Sequence, residues 1–348
     1  MERVTIEDVA ALARVSIKTV SRVINDEPNV SPATRDKVNK AIQRLKFRPS
    51  RAAKSLVSRK AFTIGLLYDN PCAYYVANVQ AGVLDSCTGQ GYDLIVHPRS
   101  SPSYDICREV VALYHQARFD GLILTPPLCD NETILAALAD EGIPTTLIAP
   151  GVPSAGVPSV VTDDEQASHA MTRHLLELGH RRIAFVAGHP DHLAVQRRTA
   201  GYRRAMAEAG APAGDDMVIP GFNSFNCGVE AGRKLLDRDR RPTAIFAAND
   251  EMAAGVLAFA QERGLRIPDD VSLAGFDDIP IATQLWPSLT TVGQPIREMA
   301  RRATALLLEM IGGRLPAKDS VPELIPSRLL ARHSTAAPCH PPSDTVRG

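Results

Sequence analysis

Apolar residues recur at helical spacing three times within the first 46 positions, and then the texture changes. Ile6, Val9, Ala10 and Ala13 share one helix face, with Thr5 at the cap and Asp8 three residues on as part of a capping box. Arg14-Val15 gives a tight connection. Ser16 caps a second helix whose apolar face is Val20, Val23 and Ile24. Its opposite face, Ile17, Lys18, Thr19, Ser21 and Arg22, is mostly polar and left to meet a partner. A third helix opens at Ser31-Pro32 and runs to Leu45, with Val38, Ile42 and Leu45 as its buried stripe, and residues 47–50 break it. The stretch R-A-A-K-S-L-V-S-R-K at 51–60 is too short to hold a helix alone, so it is expected to form one only against DNA or a partner copy.

From Phe62 onward, short apolar runs alternate with amphipathic stretches. Strands are predicted at 64–68, 93–96, 121–124 and 145–148, with helices at 79–89, 107–117 and 134–141 between them. A Pro/Gly-rich passage at 150–158 follows, and the alternation restarts: strands at 160–161, 182–186, 244–247 and 271–275, and helices at 165–178, 197–209, 227–237 and 252–263. Residues 290–294 cross back, and 296–311 form a last helix. This alternation predicts an α/β body of parallel sheets covered by helices on both faces, in two similar lobes with a cleft between them. The tail after Thr335 has no apolar pattern and is expected to be disordered.

The charge sharpens the reading of the head. The chain carries 39 basic and 39 acidic residues, yet residues 1–60 hold 14 Lys and Arg against 6 Asp and Glu, leaving 25 against 33 for the rest. A basic helix–turn–helix on an acidic body suits a reader that sets its second helix into a DNA major groove. No apolar run is long enough to span a bilayer and no export signal is seen, so a cytoplasmic, nucleoid-associated protein is expected. Six cysteines without a C-x-x-C pair read as incidental thiols. Nucleotide-binding glycine loops and the G-x-S-x-G elbow are missing, which argues against an enzyme. G-H-P-D-H at 188–192 lacks helical metal-ligand spacing and reads as a polar loop at the cleft mouth; neither a metal nor a cofactor is expected.

Ordered motifs then narrow the choice: T-I-E-D-V-A and V-S-x-x-T-V-S-R-V-I-N in the head, R-P-S-R-A-A-K-S-L after it, and in the body L-G-H-R-R-I-A-F-V-A-G (178–188), A-N-D-E-M-A-A-G (248–255), V-S-L-A-G-F-D-D (271–278) and L-T-T-V-G-Q-P (289–295). Over residues 3–335 the chain resembles the LacI/GalR family of bacterial transcription regulators. The resemblance implies base contacts from Ile17, Lys18 and Arg22, with Thr5, Ser16, Thr19, Ser21 and Asn25 against the DNA backbone. It implies a minor-groove hinge of Arg51, Ala53, Lys54 and Leu56, with Leu56 as the wedge. For the body it implies an effector site drawn from Tyr68, Asp69, Asn70, Tyr74 (or Tyr75), Thr125, Arg198, Phe222 (or Phe225), Asn249 and Asp277. Asn249 and Asp277 follow strand ends, where ligands of open α/β sheets bind. Ala149-Pro150 departs from sugar-responsive relatives, which often have a polar residue there, so either Asp69 or Thr125 compensates or the ligand differs.

The domains implied are a helix–turn–helix head (1–46), a hinge (47–60), a periplasmic-binding-protein-like core (61–335) and a disordered tail (336–348). Within the core the first lobe takes 61–160 plus 293–322 and the second 161–292 plus 323–335. Function is then expected as a regulator, chiefly a repressor, bound as a homodimer or tetramer to a palindromic double-stranded operator and controlled by a small effector. A sugar or sugar derivative is the first choice of effector, and a purine or other metabolite the alternative. A freestanding sugar-transport protein would share the body but needs an export signal and has no reader head.

Overall fold

The computed structural model describes residues 4–24, 28–47, 60–99, 105–314 and 321–339 and divides after Phe62; among the described residues the amino-terminal unit has three helices. They are α1 (Ile6–Ala13), α2 (Ile17–Ile24) and α3 (Pro32–Leu45). The Thr5 hydroxyl accepts from the Asp8 backbone while the Asp8 carboxylate accepts from Thr5 N at 2.7 Å, a complete capping box. Arg14 turns the chain at φ 54°, and Ser16 Oγ accepts from Thr19 N at 3.1 Å to start α2. Val9, Ala10, Ala13, Val20, Val23, Val38 and Ala41 make the small core. Phe47, read as part of the break after α3, closes that core as a buried side chain. Ile42 and Leu45 pack at its edge rather than inside it. Asn25 and the hinge residues Arg51, Ala53, Lys54 and Leu56 lie outside the described residues.

The second unit holds two sheets. The first runs β1 (Thr63–Tyr68), β2 (Asp93–Pro98), β3 (Gly121–Leu124), β4 (Thr145–Ile148) and β5 (Ser159–Val161), joined by β11 (Glu323–Leu324), in the spatial order β11-β5-β4-β3-β1-β2. The second contains β6 (Ile183–Val186), β7 (Val218–Ile219), β8 (Ala244–Ala247), β9 (Ser272–Asp277), β10 (Thr290–Gly293) and β12 (Arg328–Leu330), in the order β12-β10-β9-β8-β6-β7. All pairs are parallel except β10 with β12. Strands β3, β4, β6, β8 and β9 are buried along their whole length, as parallel strands covered on both faces must be.

Helices α4 (Ala73–Thr88), α5 (Ile106–Ala117), α6 (Glu132–Asp140) and α12 (Ile296–Ile311) cover the first sheet. Helices α7 (Asp164–Glu177), α8 (Leu193–Glu208), α9 (Phe225–Leu236) and α10 (Asp250–Glu262) cover the second, with a short α11 (Ile281–Gln284). Chain crossings between the lobes fall at 162–163, 294–295 and 325–327. The last comes later than the expected boundary at 322, because Glu323–Leu324 pairs with β5 of the first sheet. A two-residue strand gives no period for a sequence reading to detect.

The tail needs a correction. Ala336 N donates to Ser272 Oγ at 3.0 Å, its carbonyl lies 2.9 Å from His180 Nε2, and Cys339 Sγ reaches Asp269 O at 2.9 Å. Residues 336–339 therefore dock on the second lobe instead of dangling. Their polar anchors leave no apolar pattern, which is why composition alone suggested disorder.

Candidate functional site

Between the two sheets lies a narrow chamber of about 40 Å³, lined by both lobes. Its floor is charged. Arg198, on the second turn of α8, is 8% exposed and donates from Nε to Asp164 Oδ1 at 2.8 Å and from Nη1 to Ala248 O at 2.6 Å. Nη1 also lies 3.5 Å from Asp277 Oδ1, and the guanidinium sits 3.7 Å over the Phe276 ring. Asp164 accepts in addition from Gln294 Nε2 and Thr162 Oγ1, both at 3.2 Å. Thr162 and Gln294 each lie in an interlobe crossing, so this carboxylate ties two crossings to the chamber floor.

Asp277 ends β9 with φ 106° and Asp278 follows at φ 56°. Ala149 (φ 52°) and Asn223 (φ 59°) also line the chamber in left-handed conformations. Non-glycine residues rarely adopt these, and such strain gathers at working sites. Burial, reinforced by the nearby Asp164 and Glu251 and opposed by Arg198, raises the Asp277 carboxyl to about 7. Burial first, then the neighbouring His189 and Arg198, bring His192 down to about 4, so its imidazole is neutral near pH 7. Asn249 caps α10 through Oδ1 to Met252 N (2.9 Å) and holds Asn223 O through Nδ2 (3.0 Å).

The expected residues divide into three groups. Asn70, Arg198, Asn249 and Asp277 line the chamber together. Asp69 lies instead in a wider vestibule of about 600 Å³ at the cleft mouth, beside His189, Asp191 and His192 of the 188–192 loop. Phe222 lines neither space; it is 52% exposed and edge-on to His189 at 5.3 Å. Phe225 is exposed at the start of α9.

Three assignments fall outside the chamber wall. Tyr74 is 40% exposed, and it is Tyr75, buried, that faces the chamber, because α4 begins at Ala73 and turns the second tyrosine inward. Tyr68 spends its carbonyl on Arg99 N at 2.8 Å and does not line the chamber. Thr125 is fully buried with an unpartnered Oγ1, while its neighbour Pro126 forms the wall. Cys72, His192, Asn223, Gln294 and the supporting Asp164 were not anticipated as site residues; of these His192 carried a signal inside G-H-P-D-H and Gln294 inside L-T-T-V-G-Q-P. Among the described residues no group of three His, Cys, Asp or Glu side chains is placed to hold a metal. No helix among them is long and apolar enough to cross a membrane.

In the first unit, Ile17 (47% exposed) and Lys18 project from the open face of α2, with Thr19, Ser21 and Arg22 half-buried beside them. Thr5 and Ser16 use their hydroxyls as helix caps.

Comparison with known proteins places both units. The profile for bacterial regulatory proteins of the lacI family matches residues 5–50, and that for a periplasmic binding protein-like domain matches 172–335. Catabolite control protein A of Priestia megaterium is 36% identical over 95% of this chain and 99% of its own length. The HTH-type transcriptional repressor PurR of Vibrio atlanticus is 37% identical over 88% of this chain and 92% of its own. Among solved structures, the transcriptional regulator CelR–cellobiose complex superposes with a TM-score of 0.72 at 32% identity, covering 95% of this chain and all of that one. The lac repressor dimer bound to operator and the anti-inducer ONPF gives 0.79 at 28% identity over 97% of this chain and all of its own.

Proposed function

This chain belongs to the LacI family of DNA-binding bacterial transcriptional regulators, which are not enzymes, and on that premise we propose that it is a cytoplasmic repressor whose grip on a palindromic operator is set by a small effector in the interlobe chamber. The observation that carries this reading is the floor of that chamber: Arg198, Asn249 and Asp277 converge where β8 and β9 end, at the carboxyl edge of a parallel sheet. A guanidinium, an amide and a carboxylate supply donors and acceptors for a ligand rich in hydroxyls. A sugar or sugar derivative is therefore the effector we favour over a purine, and the cellobiose bound by the CelR neighbour supports that preference.

On the DNA side, Ile17, Lys18 and Arg22 of α2 read bases, an apolar contact from Ile17 and charged donors from the other two. Thr5, Ser16, Thr19, Ser21 and Asn25 position the head on phosphates. Arg51, Ala53, Lys54 and Leu56 form the hinge, with Leu56 prising open the central step. One head reads one half-site, so two copies bind a palindrome, as the lac repressor dimer does on its operator. Closing of the lobes on the effector changes the spacing of the paired first lobes, and with it the hinge.

A thermal-shift screen of the full-length protein against sugars and nucleobases tests this, repeated with Asp277→Ala. A ligand bound to the folded state alone raises its melting temperature, by about 2.7 kcal/mol of stability at a hundred times Kd. The expected result is a sugar hit that Asp277→Ala abolishes while operator binding persists. A hit that survives the substitution places the effector elsewhere.

A further inference from the structure

We infer that the chamber selects a hydroxyl-rich ligand without any anionic group, either uncharged or bearing an amine, and that Asp164 imposes this by occupying the charge of Arg198. The inference rests on the effector reading above and narrows its ligand class.

Arg198 is the one cationic side chain among the described residues that line the chamber, since the His192 imidazole is neutral. Its charge is already matched twice. Nε is bonded to Asp164 at 2.8 Å, Nη1 lies 3.5 Å from Asp277, and Nη1 is further engaged by Ala248 O. Two carboxylates about one guanidinium leave the floor negative once both are ionised. The raised proton affinity of Asp277 comes first from its burial; Arg198 opposes it, and Asp164 and Glu251 add to it.

The vestibule adds to it. Asp69, Asp130 and Asp191 line its wall, and the Arg99 that shares it is paired with Glu109 at 3.1 Å. A phosphate or carboxylate entering here would shed its water for a site whose cation is taken. Hydroxyls fit without that cost, donating to Asp277 and accepting from the guanidinium, and an ammonium group would pair with Asp277 directly. Asp164 is a positioning residue in this scheme, held by Gln294 and Thr162 as well as by Arg198.

Inorganic phosphate is the probe for the test. Melting temperatures of the full-length protein are followed against phosphate at constant ionic strength, for wild type, Arg198→Gln, Asp164→Asn and the double variant. Wild type and Arg198→Gln should respond alike, any common rise coming from the basic head. Asp164→Asn should gain a saturable response, about tenfold or more tighter, that the double variant loses. A wild-type response that depends on Arg198 overturns the inference, and so does a folded Asp164→Asn that gains none. If Asp164→Asn does not melt cooperatively, Asp277→Asn takes its place in the same comparison. Failure of the effector reading would look different: a sugar-induced shift untouched by Asp277→Ala, whatever phosphate does.

Discussion

Asp277 binds its proton more tightly in the folded chain than in the unfolded one, about 7 against an ordinary 3.8, chiefly because it is buried. The consequence for stability follows from linkage. Below about pH 4 the group is protonated in both states and costs nothing. Between there and about 7 the native state keeps a proton that the unfolded state has released, and above 7 the full cost of a buried carboxylate is present. The stability tied to this side chain is thus lost as pH rises. We predict that the melting temperature of Asp277→Asn minus that of wild type increases from pH 5 to pH 8, by about 2–4 °C for each kcal/mol of cost removed. Calorimetry at the two pH values checks it, and a difference that stays constant would clear Asp277 of the cost. At this same scale Asn249 and Asp277 were legible because each stands in a quoted string at a strand end, while Arg198 came from the family resemblance alone. Asp164 escaped because its role comes from Gln294 and Arg198, 130 and 34 residues away, which no local pattern encodes.

Helix α8 begins at Leu193, a turn before the apolar period predicts, and its amino end has no side-chain cap of its own. Asp130 of the first lobe lies beside it, accepting from Gly151 N at 2.8 Å with its other oxygen unpartnered; burial raises this carboxyl and the nearby backbone N–H groups, Gly151 first, pull it back. A helix start set by packing against the other lobe cannot be read along the chain, whereas α1 and α3, capped by Thr5 and Ser31 from within, were legible to the residue. The same holds for strands: β3, β4 and β8 matched their apolar runs, but β7, β11 and β12 are pairings of two or three residues made by tertiary contact alone. Gly151 makes this contact possible, since a Cβ there would lie 2.1 Å from Leu193 Cβ and 2.8 Å from Ala194 N. Backbone on one side leaves nothing flexible to yield, so Gly151→Ala should push the lobes apart. We expect a larger radius of gyration in solution scattering, a loss of roughly 1–3 kcal/mol of stability, and a weaker thermal response to the effector. Unchanged scattering would show that the two surfaces accommodate a methyl group without opening.

Charge is arranged over the whole chain so that a neutral total conceals a division: the first 60 residues are basic and the remainder acidic. The basic part draws phosphates while the acidic part is repelled by them, which favours approach of the head to DNA. Operator affinity should therefore fall steeply with salt, its logarithm declining by about 0.9 for each phosphate neutralised per unit of log salt. Lys18 separates two ways in which the head can spend that charge. It is exposed on the open face of α2 next to Ile17 and is not needed for the packing of Val20 and Val23. If it donates to a guanine edge, Lys18→Ala changes the preferred base at one position of each half-site, costs about 1–3 kcal/mol per contact on the native sequence, and leaves the salt slope nearly intact. If it meets phosphate, binding weakens evenly across sequences and the slope drops by about one for each head. We predict the first pattern, measured as operator-variant Kd values at several salt concentrations with wild type and Lys18→Ala side by side. The sugar-induced thermal shift should be the same in both proteins, because the chamber residues lie in the other unit. Uniform weakening with a shallower slope would move Lys18 to the phosphate backbone and leave the reading of bases to Arg22 and Ile17.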